Sequence, residues 1–504
     1  MLSLTQRLCG VLPAGVSIVN DQDHRSSHLL RDFPQTLHEG RVARLHSQFA
    51  PPILDDHQTS HEEGAPINRL PLELFGEIFQ HYLAELRKDS FTVRVSSLRS
   101  TTFAQFNPVI LGHVCSSWRA LTLAMPTLWS SIAVIKPTMS HIPMIQLWLE
   151  RAADCPLSLT IFQSYGEDPG VAQRAATHNI LLLFLARARQ WRRIEFHFHD
   201  KSTYIPFLNV SPSVLGMLED IDVDMGFWDR AVADCVWQKF HSLPSLRRVS
   251  WDSSYFYNGI PTHVPWAQLT HFKMHRVLGL SLPGLLDILR QCEALRVLDC
   301  DIDVPWGKDV SFLATPVVLP YLHDLKISVD GSGDPGPLIS HISLPSLASF
   351  DILHDFSRDT RNRLAPYLHD LLVRSACSLE VLSLHDRVLT EDELVMVLEL
   401  PQVQTLRQLD LVCCEMTDQT SVLLAQKEAG QMRVLPRLEA LCLPTCRFSS
   451  DMVSALVTAR SPQLRSIRMA CKCLIGRPTH DLDYLQSLQS AGHDFRFGIF
   501  DWNE

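Results

Sequence analysis

The feature that most constrains this chain is a hexamer frame, φxxφxφ with φ apolar, that recurs eleven times between residues 191 and 469. The copies are WRRIEF (191), LEDIDV (218), LRRVSW (246), LTHFKM (269), LRVLDC (295), LHDLKI (322), LASFDI (347), LEVLSL (379), LRQLDL (406), LEALCL (438) and LRSIRM (464). Neighbouring copies start 23 to 32 residues apart, and WSSIAV (129) and PLSLTI (156) extend the series backward less regularly. Positions four and six of the frame share one face of a short strand because side chains alternate. Segments such as LPGLLDILRQC (282–292) and DMVSALVTARS (451–461) carry helical spacing and return the chain, so that each strand lies parallel to the last. No single unit can bury its apolar face, so the units must stack. Chance supplies two or three such hexamers in a leucine-rich chain, not eleven at one period.

A period of this length with this frame is the leucine-rich-repeat signature. It predicts an α/β class fold: a solenoid with a curved parallel sheet and helices outside, over residues 136–500. Cys414 and Cys446 each fall three residues after the last apolar position of their frame. This resembles the cysteine-containing repeat subclass and implies small thiols packed inside the turn.

The front of the chain reads differently. Residues 1–65 are rich in His, Ser, Asp and Gln without a sustained period, which predicts a disordered or loosely ordered leader. From Leu70 the sequence LPLELFGEIFQHYL sets two adjacent apolar rows at four-residue spacing, Leu74/Ile78/Tyr82 and Phe75/Phe79/Leu83. Pro71 suits a first helical turn. The polar stretch 84–106 breaks the period and reads as a surface insertion. Asn107-Pro108 then looks like an N-cap and first helical residue, followed by VCSSWRALTLAMPTLW at helical spacings. Two or three short helices are expected, too few for a large core of their own.

These residues resemble an F-box, whose motif runs Leu-Pro-x-Glu-Leu, an Ile and Leu, Val-Cys/Ser-x-x-Trp-Arg and a closing Leu-Trp. The match spans residues 67 to 132 and rests on Leu70, Pro71, Glu73, Leu74, Ile78, Val114, Cys115, Trp118, Arg119 and Trp129. The whole chain is similar to the F-box/leucine-rich-repeat proteins of fungi; the long insertion at 84–106 departs from compact F-boxes. The resemblance implies an N-terminal three-helix F-box over 66–135 that docks on the Skp adaptor, and through it on a cullin, with the repeats capturing a target protein for ubiquitination. It places adaptor contacts at Leu70, Pro71, Leu74, Ile78, Val114, Cys115, Trp118 and Trp129. Independently, a small helical module with more apolar residues than it can bury offers a surface to a partner, although Ile78, Val114 and Trp118 equally suit internal packing.

Target binding is expected at frame positions three and five, which point away from the buried face. The candidates are Arg193, Glu195, Asp220, Asp222, Arg248, His271, Lys273, Asp324, Lys326 and Arg468. Acids cluster at 220–222 and bases follow at 248 and 271–273, a pattern that selects a partner by charge complementarity.

Other classes find little support. A net charge of -10 over 504 residues argues against a nucleic-acid partner. No apolar run reaches the ~18 residues of a membrane span, and LCGVLPAGVSIV (8–19) is a poor secretory signal. The thirteen cysteines form no CxxC pair, which predicts reduced thiols in a cytoplasmic or nuclear setting. GSGDPG (331–336) fits GxGxxG, but the next repeat strand begins at Leu347, too soon for a dinucleotide-binding helix and crossover, so it reads as a loop between repeats. His197 and His199 share one side of a strand without further ligands at an evident spacing. The chain is therefore expected to be no enzyme, with no catalytic residue, cofactor or metal. The expected function is substrate recognition in a Skp–cullin–F-box ligase; the alternative is a repeat scaffold acting outside ubiquitination.

Overall fold

The computed structural model describes residues 70–92, 108–163, 170–198, 205–225, 228–251, 263–274, 281–302, 315–330, 334–355, 364–386, 389–412, 416–446, 452–461, 463–471, 488, 490 and 494–499. The leader 1–65, residues 93–106 of the expected insertion, His199, Gly331, Gly333, Cys413 and Cys414 lie outside that set, as does the side chain of Cys446. The chain divides into two units, Met1–Thr92 and Val93–Glu504.

The described part of the first unit is one helix, α1 (Leu72–Thr92). The Pro71 carbonyl accepts from the amides of Leu74 and Phe75 and so opens it. The helix runs on through residues 84–92, past the point where the apolar period stops. Of the two apolar rows, Phe75, Phe79 and Leu83 are buried, with the two phenyl rings edge-on at 5.8 Å. The adjacent row stays open: Leu74 is 43% exposed, and Ile78 and Tyr82 are half-buried.

The second unit begins with three short helices, α2 (Val109–Gly112), α3 (Ser116–Ala124) and α4 (Pro126–Trp129). The breaks are local: Cys115 is extended and its thiol caps α3 by accepting from the Trp118 amide, and Pro126 starts α4. A sheet of fourteen strands follows. These are β1 (Ser131–Ile135), β2 (Leu157–Phe162), β3 (Trp191–His197), β4 (Asp220–Asp224), β5 (Arg248–Trp251), β6 (His271–Met274) and β7 (Val297–Ile302). Then come β8 (Asp324–Asp330), β9 (Ser349–Asp355), β10 (Val381–Asp386), β11 (Gln408–Leu411), β12 (Ala440–Cys446), β13 (Ser466–Cys471) and β14 (Asp494–Ile499). Strand order in the sheet is chain order, and the paired strands are parallel.

Every copy of the hexamer frame supplies one of these strands, and the two irregular copies supply β1 and β2. The described returning segments include helices, as in His141–Ala152, Leu282–Gln291 and Leu364–Ser375. Between β5 and β6 the described residues hold the 3-10 turn Trp266–Gln268. After the glycine-containing loop, Gly336–Ser340 makes five residues of helix before the chain reaches β9. A Cβ at Gly336 would sit 2.5 Å from the Tyr367 ring, so a larger residue there would have to turn that exposed ring aside.

The core lies behind positions four and six, as Ile194/Phe196, Leu298/Cys300 and Leu382/Leu384 show by their burial. Adjacent repeats also interlock through polar atoms. The residue before the frame donates to a carbonyl of the preceding repeat in Ser245 to Leu218 O (2.7 Å), Ser346 to Pro320 O (2.6 Å) and Thr405 to Leu379 O (2.7 Å). Arg460, 1% exposed, donates to the carbonyls of Leu424, Leu435 and Val434 at 2.7 to 2.9 Å. Those bonds offset the desolvation that lowers its pKa to about 10.

Candidate functional site

Register aligns the polar positions of successive strands into two rows. The position-three row runs Arg193, Asp220, Arg248, His271, Val297, Asp324 as direct Cα partners. The position-five row runs Glu195, Asp222, Ser250, Lys273, Asp299, Lys326, Asp351 and, further on, Asp410, Cys442, Arg468. All ten residues expected to bind a target fall in these rows, and each is exposed or half-buried. The charges are paired along the sheet: Asp220 stands 3.6 Å from Arg193 and 3.7 Å from Arg248. Burial raises the Asp220 pKa against the pull of those two guanidinium groups.

One place on this face departs from simple alternation. Glu195 and Asp222 are cross-strand partners in the same row, so two carboxylates meet with no base between them. His197, two residues beyond Glu195 and on the same face, fills the gap: its Nε2 is 3.9 Å from Glu195 Oε1 and 3.9 Å from Asp222 Oδ1. The Phe162 ring packs against the imidazole with centroids 4.9 Å apart. The other Glu195 oxygen, Oε2, is 3.5 Å from both Arg193 Nη2 and the Thr160 hydroxyl. Burial disfavours the imidazolium, but Glu195, Asp222 and Asp224 outweigh it and raise the His197 pKa to about 9. Burial likewise acts to raise Glu195, yet His197, Arg193 and Lys273 leave it below the ordinary carboxylate value. One donor atom from each of Glu195, His197 and Asp222 lies within 4.8 Å of the other two.

The same register position recurs on β10 and β11. His385 Nε2 is 3.7 Å from Asp410 Oδ1, and Ser383 stands where Glu195 stands on β3. The contact with Asp410 raises the His385 pKa against desolvation. Burial, then Asp410, pushes the Cys442 thiol up to about 12, so it is a poor nucleophile. Toward the end of the sheet, Arg407, Pro436, Arg437, Glu439, Gln463 and Arg465 line a shallow cavity of about 360 Å³. Glu439 is shared there between Arg407 at 3.5 Å and Arg465 at 3.4 Å. These groups sit at frame position two and in the preceding turn, positions the sequence reading did not weigh.

The residues expected to face an adaptor are not alike. In the first unit Pro71 and Leu74 are exposed, and Leu70 and Ile78 half-buried. In the second, Val114 is 46% exposed, and Cys115 is exposed while capping α3. Trp118 is 8% exposed and Trp129 fully buried. Trp129 donates to Thr122 O at 2.8 Å, meets Trp148 edge-on and carries the Arg151 guanidinium over its ring at 4.4 Å, so it is internal packing of its own unit. No helix among the described residues is long and apolar enough to cross a membrane. A scan against protein-family models gives no match, and a search of curated proteins gives none.

Proposed function

We propose that this chain is a non-catalytic recognition subunit of a Skp–cullin–F-box ubiquitin ligase. In this reading the segment from Leu70 to Trp129 is an F-box that engages the Skp adaptor and through it a cullin, and the strands behind it form a leucine-rich-repeat solenoid that holds a target protein. The observation that carries the reading is the pair of charged rows, ten expected contact positions held at strand spacing on one face. A face of this kind selects by charge pattern rather than by a pocket. The open row on α1, with Leu74 exposed beside a buried Phe75/Phe79/Leu83 row, supports an apolar partner at the front. The gain from joining the two is proximity: holding a target lysine near a charged conjugating enzyme is worth up to ~7–11 kcal/mol in well-oriented cases.

Co-purification of the Skp adaptor with the full chain tests the idea. The wild type should recover it, and the Leu70→Ala/Pro71→Ala/Leu74→Ala variant should recover at least ~10-fold less, about 1.4 kcal/mol of binding. Equal recovery from both would remove the ligase assignment. Target levels that stay constant when residues 67–132 are deleted would instead favour a scaffold working outside ubiquitination.

A further inference from the structure

We propose that Glu195, His197 and Asp222 form a binding site for a first-row divalent cation, of which Zn²⁺ is the best fit, on the polar face of β3 and β4. Such a site goes beyond target recognition and does not depend on it. A strand offers only alternate residues to one face, so residues 195 and 197 project together, and the register places Asp222 beside Glu195. One imidazole nitrogen and two carboxylate oxygens thus converge from two rigid strands, with both acids 3.9 Å from the imidazole Nε2. Zinc bonds of ~2.1 Å at tetrahedral angles put ligand atoms about 3.4 Å apart. Side-chain rotations would close each imidazole–carboxylate gap by roughly half an ångström, and the two carboxylate oxygens, within 4.8 Å of each other, by ~1.4 Å at most.

The donor set is mixed, one nitrogen with two oxygens, which suits Zn²⁺ and Mn²⁺ and is a poor match for a thiolate-seeking ion. Metal entry would displace to solvent the proton that Glu195 and Asp222 hold on His197, and two carboxylates with the resulting neutral imidazole make a dication the neutralising occupant. The second observation is orientation. Arg193 Nη2 and the Thr160 hydroxyl reach Glu195 through Oε2 alone, while Oε1 faces His197. Outer contacts of this kind hold a ligand in its binding orientation. Phe162 flanks the imidazole on one side. Three protein donors leave at least one position for water or for a group on a bound partner.

The full-length protein, freed of metal by chelator dialysis, should bind one equivalent of Zn²⁺ in calorimetry. It should also give the intense visible bands of four- or five-coordinate Co²⁺ rather than the faint spectrum of the hydrated ion. Glu195→Gln, His197→Gln and Asp222→Asn should each weaken binding by more than ~100-fold, and Thr160→Val by roughly 10-fold. His385→Gln, at the register-equivalent place that lacks a second carboxylate, should leave affinity unchanged. Absence of stoichiometric binding by the wild type overturns the proposal whatever the variants do. So does binding retained in all three ligand variants, or lost equally in His385→Gln. Retention of the far-ultraviolet circular dichroism of the metal-free protein separates ligand loss from misfolding.

Discussion

The stretches β3–β6 and β10–β12 use one frame and one register, yet differ on both faces of the sheet. Behind β3–β6 the core is aromatic: Phe196 meets Phe184, Trp191, Phe198 and Phe207, and Trp251 meets Trp237, Trp266 and Phe272. Behind β10–β12 it is aliphatic, with Leu382, Leu384, Leu394, Leu398, Leu409, Leu411 and Leu424 buried. On the polar face the first stretch sets His197 between two acids, whereas the second gives His385 a single acid and a serine. The backbone repeat thus decides where side chains meet, and single residues decide what meets there.

Core truncation should break the likeness most strongly. Trp251→Ala removes a fully buried indole and should cost about 4 kcal/mol, against about 3 kcal/mol for Leu409→Ala. Urea unfolding of the two variants checks it, and an equal cost would mean that the aromatic cluster holds the fold no more strongly than the aliphatic one.

Acid should come next. His241, stacked on Trp237 at 5.3 Å and near Trp251, has its pKa pushed down to about 3 by burial and then by the His263 charge. Its folded value lies below the unfolded one of ~6.5, so the unfolded chain takes up the proton first. The contribution is complete above pH 6.5 and is lost as pH falls from 6.5 toward 3. Relative to His241→Phe, the wild type should lose up to ~1.4 kcal/mol per pH unit in that window. Parallel pH–stability curves for the two would refute the assignment.

The smallest effect concerns the polar face. Ser383→Glu would give His385 the second carboxylate that His197 already has, and should add a second, weaker equivalent of Co²⁺ binding by visible absorption. A titration still ending at one equivalent would show that a matching residue set is not enough without outer contacts such as those of Arg193 and Thr160.

Much of this was legible before any coordinates. Alternation within the frame marks Ile194 and Phe196 as buried and Arg193 and Glu195 as outward, and burial follows it. The last strand was missed because Gly492 occupies the leading position of its frame, although Phe495 and Phe497 keep the alternation. Along the chain His197 and His199 offer no third ligand at an evident spacing, so the sequence reading expects no metal. The groups that meet His197 are Glu195 and Asp222, which reading across the aligned frames of β3 and β4 brings together. Periodicity likewise marked two apolar rows on α1 without saying that Phe75 would be buried and Leu74 left open.

Periodicity alone determined the stack of strands, their parallel sense and the identity of the polar rows, because each follows from local alternation and a repeated chain length. Tertiary structure alone decided that Arg460 would be buried beneath three carbonyls, that Trp129 would close inward, and that an imidazole would stand between two acids. Those outcomes depend on which atoms side-chain packing brings together, across 36 residues for Arg460 and Leu424, and spacing along one segment carries no record of such meetings.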